Sequence, residues 1–400
     1  MYERFIARQP ILTNKLTLLG HELLFRPNSR QGAGTDANAT SQVIAASTML
    51  FAWEKLLGRS LGFINFGAGE LLSGAALLLP PRQTVIELPA ELDVTEDVIR
   101  ACETLRAANY RISLDDFRDE PERHQLLPLA DFIKVDFRST SEEDQWRLSH
   151  HYGNGPWTLV AKKVETWKEF RCAKALDFRG FQGFFFLEPR VMERRDIGGS
   201  RASALRLLQA VHKSPLILAE IEDILKHEPA LTLKLLRYLN SPILARPAEV
   251  TSISMAVALL GEEEFRRWAT LVAVVMPAEE KPDELVRTAL LRAFFCEEIG
   301  RSSGSLQAFE FFLVGLLSLM NALLDQPLGE LLEELAISPR VHAALLGEDN
   351  ELRRPLDAVL AYERADWDAF SRIMERLALN EESVPDRLLQ AENMVSRLLA

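Results

Sequence analysis

TVIELPAELDVTEDVIRACETLRAANYRISLDDF, residues 84 to 117, places two short apolar runs on either side of an amphipathic stretch. Thr84 to Leu88 and Arg111 to Asp115 are rich in aliphatic and β-branched residues and have the length of strands. Between them, from Asp97 to Asn109, Val98, Ile99, Cys102, Leu105 and Ala108 recur at the spacing of one helix face. Strand, helix, strand in that order predicts a parallel pair with the helix as its crossover.

Outward from this stretch the alternation repeats. Further strands are predicted at Ile6 to Ile11, Gly20 to Phe25, Gly62 to Phe66, Phe132 to Val135, Thr158 to Lys162 and Gly183 to Leu187. With the first two these make eight strands, enough to close a compact, mostly parallel α/β barrel of the TIM-like kind. In such a barrel the chemistry sits where strands end. There GHELLFR, INFG, IELPAE, LDDF, KVD and AKKVE place their polar residues.

From Ser203 onward the period changes and nothing strand-like follows, so an all-α domain is predicted. Ser214-Pro215 is expected to open a helix with Leu218, Ile221 and Leu225 on one face, and Pro229 to open another that stops at Asn240-Ser241-Pro242. Ser252 to Leu260 forms a short helix capped by Gly261, and Phe265, Trp268 and Val272 begin the next. The glycine-bearing DIGGS, residues 196 to 200, marks the boundary, giving domains at 1–197 and 198–400.

Composition excludes several classes. Four hundred residues exceed what one core usually serves, and 48% hydrophobic with 26% charged residues is ordinary for a globular protein. A net charge of −12 argues against broad binding to nucleic acid or an anionic membrane, both of which need a cationic surface. The apolar run FFLVGLL at 311–317, continuing to Leu324, is too short to cross a bilayer and reads as a core helix. MYERFIARQPIL lacks the pattern of a secretory signal, so a cytoplasmic location is expected. Cys102, Cys172 and Cys296 have no metal-site spacing and are expected to be reduced core residues. His212, His227 and His342 are expected at helix surfaces or caps, and Glu262 to Glu264 and Glu279-Glu280 as solvated clusters.

Five of the strand-end motifs agree with one family in kind and order. GHELLFR resembles the signature of EAL cyclic di-GMP phosphodiesterases, with Leu23 for its alanine; INFG, LDDF, FIKVD and FQGFFF resemble that family's asparagine, paired-aspartate, lysine and glutamine motifs. The resemblance spans about residues 1 to 190 and implies Glu22, Asn65, Asp115 and Asp116 at metal positions, Lys134 near the phosphate, and Arg26 and Gln182 facing the nucleotide.

The resemblance is broken in three places. Of two glutamates the family carries after its fourth strand, the second of which is implied to bind metal, Glu87 matches the first and Ala90 stands at the second; alternation along a strand would point the adjacent Glu91 to the opposite face. The family's AEGVE appears as AKKVE, which puts Lys162 at the base position while Glu165 survives, and a protonated amine cannot take a proton from water. The loop DDFGTG is replaced by DDFRDEPERH. No bound metal or other cofactor is therefore expected, and Lys162 should turn into the former metal cavity and pair with one or more of Glu22, Asp115 and Asp116.

In the second half, HEPALTLKLLRYLNSP followed by TSISMAVALLGEEEFRRW resembles the HDOD family, relatives of metal-dependent HD phosphohydrolases that lack the full ligand set. Where an HD protein carries histidine and aspartate, this chain has Ser318 and Leu319. Together the two resemblances are those of the EAL-HDOD (YuxH-like) bacterial signal-transduction family. They imply a regulatory role, and Ala90 and Lys162 turn the expectation to a non-catalytic protein acting through unidentified signalling proteins, with cyclic di-GMP as a possible ligand. The alternative they leave is a magnesium-dependent cyclic di-GMP phosphodiesterase.

Overall fold

The computed structural model describes residues 5–26, 57–190, 199–227, 252–275, 281–302, 308–335 and 337–399. Two compact units divide the chain: Met1–Phe186 with Tyr362–Trp367, and Leu187–Ala361 with Asp368–Ala400. The 197/198 boundary read from the sequence thus differs from this division at residues 187–197, and it leaves Tyr362–Trp367 in the helical half although their contacts are with the barrel. The DIGGS linker and the helix expected from Pro229 to Asn240 lie largely outside the described residues, as do Glu279 and Glu280.

The first unit is a closed barrel of eight strands in sequence order. They are β1 (Ile6–Thr13), β2 (Leu18–Phe25), β3 (Leu61–Asn65), β4 (Thr84–Leu88), β5 (Arg111–Leu114), β6 (Phe132–Asp136), β7 (Thr158–Lys162) and β8 (Gly180–Gln182). β1 runs antiparallel to both β2 and β8, and all other pairs are parallel. Helices α1 (Ala68–Leu72), α2 (Glu96–Ala107), α3 (Glu142–Tyr152) and α4 (Trp167–Ala175) fill crossovers. The side chains of Thr95, Ser141 and Thr166 cap α2, α3 and α4 by accepting backbone N–H bonds of their first turns.

The last strand differs from the expectation of Gly183 to Leu187. Gly183 turns at φ +148°, where a Cβ would stand 2.0 Å from the Val164 carbonyl oxygen, so the chain leaves the sheet there. The aromatic run beyond it packs sideways: Phe185 stacks on Phe170 of α4 with ring centroids 4.8 Å apart. Apolarity there serves the helix layer and not the sheet.

Inside the barrel the side chains form layers, because residues two apart on a strand share a face. Ile11, Phe63, Val85, Phe132 and Val160 make an apolar layer, with Phe63 edge-on to Phe132 at 5.1 Å. Gly20 and Gly180 leave room for it, since a Cβ at Gly20 would lie 2.9 Å from the Phe63 ring and one at Gly180 2.8 Å from Val160. Two residues nearer the mouth on the same strands stand Gln9, Glu22, Asn65, Glu87, Lys134, Lys162 and Gln182. The polar layer thus rests on a dry floor.

The second unit is helical among its described residues: α5 (Gly199–His212), α6 (Leu218–Lys226), α7 (Ile253–Leu260), α8 (Glu262–Val275), α9 (Asp283–Ser302), α10 (Ala308–Leu317), α11 (Met320–Leu324), α12 (Leu328–Glu334), α13 (Pro339–Leu345), α14 (Arg353–Glu363), α15 (Trp367–Arg376) and α16 (Val384–Leu399). The last residues of α14 and the first of α15 fall in the Tyr362–Trp367 segment of the first unit. α10 is buried from Phe311 to Leu317, as its uniform apolarity predicts. No described helix is long and apolar enough to cross a membrane.

Three readings are corrected. Ser214-Pro215 precedes α6, which starts at Leu218 with Ile217 as its cap, because residues 213 to 215 form a bend and Ile217 is extended, so helical geometry begins only after it. Cys172 is exposed on α4, while Cys102 and Cys296 are buried. His212 is half-buried at the end of α5 and not on an open surface: its Nε2 lies 3.1 Å from Thr270 Oγ1, and burial, with the Arg266 charge adding to it, pushes its pKa down to about 4.

Candidate functional site

The polar layer at the barrel mouth is built around two lysines. Lys134, on β6 and wholly buried, donates from Nζ to Glu22 Oε2 at 2.6 Å. Its Nζ also lies 2.8 Å from Glu87 Oε1, out of line for a hydrogen bond, and 3.9 Å from Asp115 Oδ1. Lys162, at the end of β7, donates to Asp115 Oδ1 and Oδ2 at 2.7 and 2.8 Å and to Asp116 Oδ1 at 2.9 Å. Glu22 is further held by Gln182 Nε2 at 2.7 Å, which also donates to Gln9 Oε1, and by Asn65 Nδ2 at 3.3 Å.

Electrostatics explains why so many charges share a buried site. Burial would raise the Glu22 carboxyl, but the Lys134 and Lys162 ammoniums and the bonds from Lys134 and Gln182 outweigh it and hold the pKa at about 2. Burial pushes Glu87 up to about 8 against the pull of Lys134, and the Glu22 and Asp115 charges add to the rise. Burial works against both ammoniums, yet the carboxylates keep Lys134 and Lys162 above the ordinary lysine range, Glu22 leading for the first and Asp115 for the second.

The structure gathers Glu22, Asn65, Asp115, Asp116, Lys134 and Gln182 into one network, with Lys162 turned into it. Arg26 and Glu165 stand nearer the rim. The Arg26 guanidinium lies 5.0 Å above the Phe5 ring, and Glu165 sits in the turn between β7 and α4, its N–H held by Glu169. Gln9, Lys163 and Arg123 are not singled out by the sequence, and Glu87 is matched there to a family position without a partner. For Glu87 and Gln9 the signal was register, since each lies on the inward face two residues from an apolar-layer position. Lys163, at φ +56°, reaches back to Asp136 Oδ2 at 2.6 Å, so both lysines of AKKVE tie strand ends together.

Ala90 and Glu91 are placed differently from the strand-face argument. β4 ends at Leu88, and both residues lie in the turn beyond it, where alternation no longer applies. This turn is held from the substituted loop: the buried Arg123 donates to the carbonyls of Leu88, Pro89 and Ala90 at 3.1, 2.7 and 3.2 Å. Asp119 of the same loop accepts from Tyr152 Oη at 2.5 Å and pairs with His124 Nε2 at 2.7 Å. A loop that has lost its glycines is fixed at two points.

A divalent cation fits this donor set poorly, because the positive charge it would bring is already supplied by two ammoniums at bonding distance from the same carboxylates. Lys162→Glu should accordingly melt roughly 5 °C or more below Lys162→Met in metal-free buffer, since it adds a carboxyl to a site that has just lost a cation. Equal melting temperatures would remove the charge-replacement account.

In the helical unit Ser318 Oγ donates to the Gly315 carbonyl at 2.7 Å and accepts from the buried Arg292 at 3.3 Å, and Leu319 is buried at the break between α10 and α11. Among the described residues of the whole chain, no group of three His, Cys, Asp or Glu is arranged to hold a metal.

Set beside known proteins, residues 201–329 match the HDOD domain. Over 387 residues the chain is 29% identical to "Uncharacterized protein YuxH" of Bacillus subtilis (strain 168), covering 94% of this chain and 95% of that protein. Over 401 residues it is 29% identical to "Cyclic di-GMP phosphodiesterase CdgJ" of Vibrio cholerae, covering 98% and 92%. Among solved structures, Klebsiella pneumoniae BlrP1 in a manganese and cyclic di-GMP complex is similar at 22% identity and TM-score 0.40, over 46% of this chain and 55% of that one. A standalone EAL protein from Vibrio cholerae O395 is similar at 20% identity and TM-score 0.36, over 46% and 91%.

Proposed function

From the EAL-HDOD architecture of the chain we propose that it is a non-catalytic signalling protein of cyclic di-GMP circuits, acting in the cytoplasm by contact with other proteins. The observation that carries this reading is Lys162, whose ammonium takes three carboxylate oxygens of Asp115 and Asp116 at the position where the EAL pattern has its base. A group that is protonated and fully engaged cannot activate water, and loss of a general base alone costs about two to four orders of magnitude in rate. The barrel serves as the sensing or docking part and the helical unit presents a surface to a partner protein.

The test is calorimetric titration with cyclic di-GMP, with and without magnesium, followed by chromatography for the linear product. No linear product is expected. Turnover on the order of 1 per second or more, ordinary for an enzyme, would overturn the reading. Heat of binding without product identifies a receptor, and its absence a scaffold.

A second reading, a magnesium-dependent cyclic di-GMP phosphodiesterase, is favoured by the name of the Vibrio cholerae relative. It requires a cation to displace Lys162 from Asp115. Anomalous density for soaked manganese beside Glu22 and Asp115 would support it.

A further inference from the structure

Because β1 runs against its neighbours, its first residue lies at the barrel mouth: Ile6 pairs with Phe25, beyond Glu22 on β2. What holds this end comes from far along the chain. The Tyr362 hydroxyl accepts the Ile6 N–H at 3.2 Å and donates to the Ile6 carbonyl at 3.0 Å, satisfying both backbone groups as a neighbouring strand would. Phe5, 1% exposed, meets the rings of Tyr362 and Trp367 at 6.4 and 6.0 Å, and those two rings meet edge-on at 5.2 Å. Arg26, which the EAL resemblance turns toward a nucleotide, stacks instead on Phe5. Tyr362–Trp367 belongs to the barrel's compact unit although it lies past residue 329, where the HDOD match ends.

We propose that Tyr362–Trp367 is a latch on the barrel mouth, fixing the start of β1 and, through Phe5, the Arg26 side chain. The segment has to let go before Arg26 can turn to a ligand or partner at the strand ends. This rests on reading the mouth as a recognition surface. The physical basis is that side-chain contacts, among them a hydroxyl and two rings, make this attachment, which is the kind of contact that opens locally while the barrel stays folded.

The experiment is hydrogen exchange by mass spectrometry on the full chain, comparing wild type with Tyr362→Phe and Trp367→Ala. Tyr110→Phe is the control, since it removes another buried tyrosine bond of the same unit, to the Leu79 carbonyl at 2.6 Å. Exchange over residues 5–13 is expected to rise on the order of tenfold in the two latch variants, with β4 and β6 unchanged. Labelling of Arg26 by phenylglyoxal is expected to rise with it. The control should leave β1 as it is. Unchanged β1 exchange, an equal rise across all strands, or unchanged Arg26 labelling would overturn the latch. None of these readouts needs a nucleotide, so failure of cyclic di-GMP to bind bears on the proposed function alone.

Discussion

Replacing Lys134 with methionine is expected to lower the melting temperature of the barrel by roughly 10 °C or more, or to prevent its folding. Lys134 is 0% exposed, and its ammonium is within 2.8 Å of both Glu22 and Glu87. Methionine matches the stem but brings no charge, so Glu22 is left buried beside two other carboxyl groups; uncovering a buried charge in this way costs about 3 to 5 kcal/mol. Adding Glu22→Gln to Lys134→Met should recover part of the loss, because it removes the ionised group the lysine balanced. Thermal melts of the single and double variants decide it. A Lys134→Met protein as stable as the wild type would show that the network is not held by its central cation.

As pH rises from about 5 to about 8.5 the wild type is expected to lose stability relative to Glu87→Gln. Burial raises the Glu87 pKa from 4.5 to about 8, so between those values the folded protein holds a proton that the unfolded chain has released. Unfolding is then favoured by each rise in pH, by an amount that reaches a few kcal/mol across the window, on the scale of about 1.4 kcal/mol per unit. Glu22 acts in the other direction and lower down: its carboxyl, held at about 2, contributes stability that is present above pH 4.5 and lost as pH falls toward 2. His212, lowered to about 4, also gains stability with rising pH, below 6.5, but it is shared by both proteins and cancels in the comparison. Melting temperatures at pH 5.5 and 8.5 for the two proteins test this, and identical slopes would show that Glu87 holds no proton.

Arg123 shows how far sequence reasoning reached at this site and where it stopped. The loss of glycines from the loop and of a carboxylate at position 90 was visible as two separate changes. That one guanidinium answers both, by tying the loop to the carbonyls after β4, required the two segments to be brought together.

The strand–helix alternation, the switch to helices after residue 200, and most of the polar residues at the mouth are legible from the residues alone. These are local properties: apolar periodicity is set by the contacts of each segment, and strand-end motifs keep their order along the chain. The sequence also predicts that Lys162 meets one or more of Glu22, Asp115 and Asp116, since charge at an inward-facing position must find its opposite, and the two aspartates are the ones it bonds. Tertiary folding alone brings Gln9 into the site and sets Glu87 beside Lys134, because inward position depends on register across neighbouring strands and not on either strand alone. It also moved the last strand from Gly183–Leu187 to Gly180–Gln182, where a glycine turn and the packing of Phe185 on Phe170 outweigh a run of aromatics. Least legible of all was Tyr362, whose hydroxyl closes on Ile6 across 356 residues of sequence. A contact of that separation leaves no period or spacing to read, since only the folded barrel brings its two ends together.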